Sequence, residues 1–219
     1  NGLRPRAAAA KILALAAVSA AMVAVFCGCG CYVRLRVKYH MACCTPASSQ
    51  SAAELCTELK GMGYAGYALQ YGGKTYVAAA ILSTAGAAAD LAESITGMGL
   101  NCSSLALERI NFELETYRAE QNAGLYEYTI SSLNGIVSDL IACTENIIAG
   151  RREEVRASLR EINGELNALF NQNPFDPFTA KLAYLADLSA RCTYGALLPR
   201  DIRLLAVAVA DCVISVRLT

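Results

Sequence analysis

His40 is the only histidine among 219 residues, and it stands directly before Met41-Ala42-Cys43-Cys44. Imidazole, thioether and thiolate together are donors that a soft metal takes. The spacing is against that reading. A metal-carrying loop of the Met-x-Cys-x-x-Cys kind sets its two thiolates apart so that they converge, whereas here Cys43 and Cys44 are adjacent and Pro46 stands where the second cysteine would be. Nucleophilic catalysis fares no better, because any base for a triad would have to be His40 itself. No Gly-rich phosphate loop, zinc-type spacing or nucleophile elbow is present in the sequence. Ten cysteines suggest disulfides in an exported chain, but Cys27, Cys29 and Cys31 cluster, Cys43 and Cys44 adjoin, and the others are scattered singly through apolar runs. Most read as small buried hydrophobes. The expectation is a protein that is not an enzyme and holds no cofactor or metal.

Bulk composition narrows the partners. With 19 basic and 19 acidic residues the chain has no electrostatic footprint for nucleic acid. Apolar residues make up 55% of it, and part of that excess is expected in lipid. From Ile12 to Val33 no residue is charged, and at about 1.5 Å per residue this run spans a hydrocarbon layer of roughly 30 Å. Arg4, Arg6 and Lys11 precede it, and Arg34, Arg36 and Lys38 follow. The run outlasts the apolar region of a cleaved signal peptide. Residues 1–36 are therefore expected to be a short N-terminus and a single-pass transmembrane anchor.

The elements behind the anchor follow from a repeat. Gly61-Met62-Gly63 returns 36 positions later as Gly97-Met98-Gly99, and the same shift lays Ala53-Glu54-Leu55 on Ala89-Asp90-Leu91 and His40–Cys44 on Tyr76–Ala80. Apolar residues at intervals of three and four (Ala52, Leu55, Cys56, Leu59, then Ala88, Leu91, Ala92, Ile95) predict one helix per copy. Gly-Met-Gly closes each helix, glycine supplying the left-handed conformation and methionine tucking back on the last turn. Tyr71-Gly72-Gly73-Lys74 suits a tight hairpin. Two copies make βαββαβ, a ferredoxin-like four-stranded antiparallel sheet with both helices on one face. Alternation sends Met41, Cys43, Val77 and Ala79 toward those helices and leaves His40, Ala42, Tyr76 and Ala78 on the open face.

Residues 39–107 resemble the sporulation-related repeat (SPOR) domain in element order, spacing and the phrases AAELCTELKGMGYAGY and GGKTYVAAAILSTAGAAADLAESITGMGL. The resemblance implies an extracytoplasmic module that follows a single membrane helix and associates with septal peptidoglycan glycan strands in cell division or sporulation. It implies residence in the bacterial cytoplasmic membrane, with residues after about 34 extracytoplasmic. It also places a glycan site at or near Tyr39, His40, Ala42, Thr45, Lys74, Tyr76 and Ala78. Three positions depart from the family pattern. Ala42 stands where a glutamine is usual, Tyr76 where an arginine is usual, and Ala80-Ile81-Leu82 where Gly-Pro-Phe is usual.

From Glu108 the period lengthens to about three and a half. Leu125, Tyr128, Leu133, Ile136, Leu140 and Ile147 mark one stripe, and Val155, Leu159, Ile162, Leu166 and Leu169 a second. Asn173–Pro177 breaks the chain, and Gly195 and Pro199 separate two further helices. Leu204–Val216 carries Asp211 and reads as a buried bundle helix. Residues 108–219 thus form a predicted α-helical domain of an α+β protein. The competing function is a structural or interaction platform, in which these helices cover the open sheet face over Leu69, Leu105 and Leu107, glycan binding is lost, and other envelope proteins dock.

Overall fold

The computed structural model describes residues 32–47, 50–172 and 176–218, apart from the side chains of residues 117, 118, 176 and 177. In chain order the elements are β1 (Tyr32–Cys44), α1 (Ala52–Gly61), β2 (Tyr67–Tyr71), β3 (Lys74–Leu82), α2 (Ala85–Thr96), β4 (Cys102–Glu113), α3 (Tyr117–Gln121), α4 (Ala123–Ile148), α5 (Arg152–Gln172), α6 (Asp176–Tyr194) and α7 (Pro199–Ser215). The class is α+β, with one four-stranded antiparallel sheet in the order β2-β3-β1-β4.

Local chemistry sets the helix ends. Ser51 caps α1 in a capping box: its hydroxyl accepts from the Glu54 N–H at 3.2 Å, and the Glu54 carboxylate accepts from the Ser51 N–H at 2.7 Å. The Ser51 N–H and, second, its hydroxyl donate to that carboxylate and lower its pKa from the ordinary value. At the other end, the N–H groups of Gly63 and Tyr64 bond back to the carbonyls of Lys60 and Leu59, a Schellman closure with Gly63 at φ +89°. Gly99 repeats the left-handed turn at φ +98°. The methionines between these glycines do not tuck back, however. Met62 and Met98 are 38% and 50% exposed.

The expected transmembrane anchor, drawn through residue 36, is corrected at its C-terminal end. Residues up to 31 lie outside the described residues, but Tyr32 and Val33, the last part of that apolar run and its flank, open a strand. Val33, Val37, Tyr39 and Met41 are buried, while Arg34, Arg36 and Lys38 between them are exposed. That is the period of two of a half-buried strand. The basic flank of the supposed anchor is thus the wet face of β1, with Lys38 opposite Glu108 and the Arg36 guanidinium donating to the Glu108 carboxylate. Among the described residues no helix is long and apolar enough to cross a membrane.

Helices cover both faces of the sheet. On one face α1 and α2 pack Leu55, Leu59, Ala92 and Ile95 against Ala42, Cys44, Val77 and Ala79. On the other, α4 and α7 lie over β1 and β3, and α5 and α6 form an outer layer against them. One core joins sheet and helices: Tyr39, Met41, Leu69, Ala78 and Leu107 pack in the same cluster as Ile130, Leu133 and Val209. The predicted α5 stripe is buried throughout, and Leu205–Ala210 make α7 a buried bundle helix. The predicted α4 stripe holds at Leu133, Ile136, Leu140 and Ile147, all buried, and departs only at its start, where Leu125 is half-buried. Tyr126, Ile130, Leu133 and Val137 are inside, while Tyr128 is 53% exposed.

Arg109 of β4 ties α7 down. Its guanidinium donates to the carbonyls of Ile214 and Val216 at the helix C-terminus and lies 4.3 Å from the centre of the Phe112 ring. A cation there meets the negative end of the helix dipole. Tyr67 adds a second tie, its hydroxyl donating to Asp211 Oδ2 at 3.0 Å.

Candidate functional site

The glycan candidates fall into separate environments. The decisive element is β1, whose phase is opposite to that read from alternation. Along the β1–β3 ladder Met41 faces Ile81 and Ala42 faces Ala80, but Cys43 faces Ala78, so Ala79 is an extra residue on β3. Such a bulge shifts which side chains share a face. Ala42 consequently points to α1 and α2 and Ala78 to the α4–α7 side, and both are fully buried. They cannot line one surface.

Tyr39 lies under the helices at 5% exposure, with no hydrogen-bond partner for its hydroxyl among the described residues. Desolvation pushes that phenol well above the ordinary tyrosine range, and Cys212 adds to the effect. Tyr76 is half-buried and packs on the edge of the same core. Thr45 is held in a latch across strand ends: its hydroxyl accepts from Asn101 Nδ2 at 2.8 Å and its N–H donates to the Asn101 carbonyl at 3.0 Å. Lys74 is exposed at the β2–β3 hairpin, where Gly72 and Gly73 both have positive φ.

Tyr39 and His40 do come together, in a cleft of about 270 Å³ between β1, the end of β3 and α4. Lys38, Ser83, Asn134 and Ser138 supply its polar groups. The Ser138 hydroxyl donates to the Asn134 carbonyl at 3.4 Å within α4. This set offers the Lys38 ammonium, the His40 imidazole, the Ser83 and Ser138 hydroxyls and the Asn134 amide beside Tyr39, and no carboxylate lines the cleft. Asn134 and Ser138 escaped sequence reading; their only signal is spacing four apart beside the buried Leu133 and Val137.

The described cysteines are a disulfide pair, four buried thiols and the half-buried Cys56, whose thiol pKa burial also raises. Cys44 and Cys102, opposite each other on β1 and β4, form a disulfide that closes the βαββαβ unit across 58 positions. Cys43, Cys143, Cys192 and Cys212 are buried thiols. Burial pushes Cys43 and Cys143 up to about 11, and Cys192 and Cys212 up to about 12. At neutral pH they are protonated and poor nucleophiles. Among the described residues no group of three or more His, Cys, Asp or Glu side chains is placed to hold a metal ion.

No family model, curated protein or solved structure matches the chain.

Proposed function

We propose that this chain is a non-catalytic interaction platform of the bacterial envelope, in which a SPOR-like sheet serves as scaffold and glycan binding has been lost. The observation that carries this reading is the cover over the sheet. A sugar laid across the strands needs an open face, but one face is occupied by α1 and α2 and the other by α4 and α7. Exposing Tyr39 and Ala78 would require parting a core that includes Ile130, Leu133 and Val209, each fully buried. At about 25 cal/mol per Å² of apolar area, that separation is costly. The Cys44–Cys102 disulfide supports an extracytoplasmic location, because such bonds persist in oxidising compartments.

A second reading, association with peptidoglycan glycan strands, is favoured by the cleft at Tyr39 and His40, which pairs aromatic and polar groups in the way sugar sites do. Pull-down with purified sacculi, before and after an amidase strips the stem peptides, separates the two. The platform reading expects no retention on either preparation. Retention that increases after amidase treatment and falls in a His40→Ala, Asn134→Ala variant would overturn it in favour of the glycan reading.

A further inference from the structure

The Gly61-Met62-Gly63 turn takes part in more than ending a helix. Together with Ile148 at the end of α4 and Leu198, Pro199, Arg200 and Arg203 at the start of α7 it lines an open pocket of about 350 Å³. Its lining contains Lys60, Arg200 and Arg203 and no carboxylate, in a chain whose net charge is zero. Beside these cations lie three of the exposed large apolar side chains, Met62 at 38%, Ile148 at 65% and Leu198 at 37%.

The cations are available to different degrees. Arg203 is braced: its guanidinium donates to the Gly63 carbonyl at 2.8 Å and sits 5.3 Å from the Tyr64 ring centre, which fixes α7 against the turn. Lys60 is exposed, and among the described residues neither it nor Arg203 is in a salt bridge. Among the described residues Arg200 has a salt bridge to the neighbouring Asp201 alone, at 3.6 Å, with the Arg200 side chain 48% and the Asp201 side chain 37% exposed. Such an exposed pair contributes little and gives way readily to a better anion.

We propose that this pocket docks an acidic peptide segment of a partner protein, its carboxylates meeting Lys60, Arg200 and Arg203 and its apolar side chains covering Met62, Ile148 and Leu198. Charge complementarity selects an anionic occupant. The apolar wall selects one that carries hydrocarbon between its charges, which a free phosphate does not. A membrane surface fits less well, because lipid headgroups attract a broad basic face and this is a concave site on a chain without basic excess. The proposal rests on the platform reading, and it names the surface and the partner chemistry which that reading leaves open.

The test uses the full chain and a fluorescein-labelled peptide of alternating glutamate and leucine, followed by anisotropy. The double variant Lys60→Glu, Arg200→Glu leaves the Arg203 brace intact, and Ile148→Ser alters a side chain that is mostly in solvent. The expected result is saturable binding that weakens by about tenfold or more in the double variant and severalfold in Ile148→Ser. Thermal melts should match wild type. A peptide with glutamine in place of glutamate should not bind. Equal binding by wild type and the double variant overturns the proposal, as does absence of binding at about 50 mM salt, where surface charge is least screened. Displacement of the peptide by millimolar inorganic phosphate would reassign the pocket to small anions. Capture by phosphatidylglycerol vesicles without peptide binding would reassign it to lipid. The sacculus experiment fails or succeeds independently: glycan retention unaffected by the double variant sinks the platform reading, whereas no retention and no peptide binding sinks the pocket alone.

Discussion

The hydroxyl of Tyr71 on β2 holds both backbone groups of Glu108 on β4, donating to its carbonyl at 3.2 Å and accepting from its N–H at 3.1 Å. These are the two edge strands of the sheet. One phenol thus bridges the two edge strands and satisfies both backbone polar groups of a β4 residue.

Tyr71→Phe keeps the ring and removes that hydroxyl. The Glu108 peptide is partly buried, so the expected loss is about 1–2 kcal/mol of unfolding free energy. Urea denaturation followed by circular dichroism measures it. A variant as stable as wild type would mean that water replaces the hydroxyl at no cost.

Breaking the Cys44–Cys102 bond should matter more. Its closed loop spans 58 positions, and releasing a loop of that length costs about 4 kcal/mol in the chain-entropy picture. Cys102→Ser, or wild type in dithiothreitol, should unfold at a distinctly lower denaturant concentration. Mass spectrometry of the alkylated, unreduced chain checks the pairing directly, and labelling of Cys44 by the alkylating reagent would refute it.

Gly66 is the glycine with least room among the described residues. It has φ +55°, and a Cβ there would lie 2.3 Å from the Cys56 carbonyl oxygen, a backbone atom that cannot swing aside. Gly66→Ala should cost about 2–4 kcal/mol, combining left-handed strain with overpacking. Gly63→Ala meets no atom within 4 Å and should lose only about 1 kcal/mol. The ratio of the two losses in thermal or urea melts is the observable; equal losses would show that α1 yields at Cys56.

The legibility of this chain follows the clarity of its periods. Helices α1, α2 and α5 are readable because Leu55 and Leu59, Ala88, Ala92 and Ile95, and Val155 through Leu169 recur at helical spacing, and all of them are buried. The start of β1 was obscured by hydropathy. Val33 completes an uncharged run, and only the alternation of Val33 and Val37 with Arg34, Arg36 and Lys38 distinguishes a strand from a membrane flank. The bulge leaves no signature at all, since Ala78, Ala79 and Ala80 are identical and nothing marks which of them is extra. With that one residue went the shared face of Ala42 and Ala78. The disulfide was invisible for a related reason: Cys44 and Cys102 become neighbours only through the β1–β4 register, which no local pattern encodes.

Alkaline conditions provide the last prediction. The thiols of Cys43, Cys143, Cys192 and Cys212 titrate at about 11 to 12 in the folded chain, against an ordinary value near 9 in the unfolded one, because burial disfavours the thiolate. Below about pH 9 both states hold the protons, and the stabilisation is fully present. Above it the unfolded chain releases protons that the folded chain retains, so stability falls from about pH 9 until the folded thiols ionise between about 11 and 12. Tyr39 and Tyr67, both raised mainly by desolvation, act in the same direction at higher pH. Urea midpoints should be level between about pH 7 and 8.5 and then decline steeply. Cys212→Ala removes one of the two thiols pushed furthest up, so its decline should be shallower than that of wild type even though its midpoint at neutral pH is lower from the lost packing. Parallel curves for the two proteins would show that Cys212, on the buried face of α7, is not a proton-linked group.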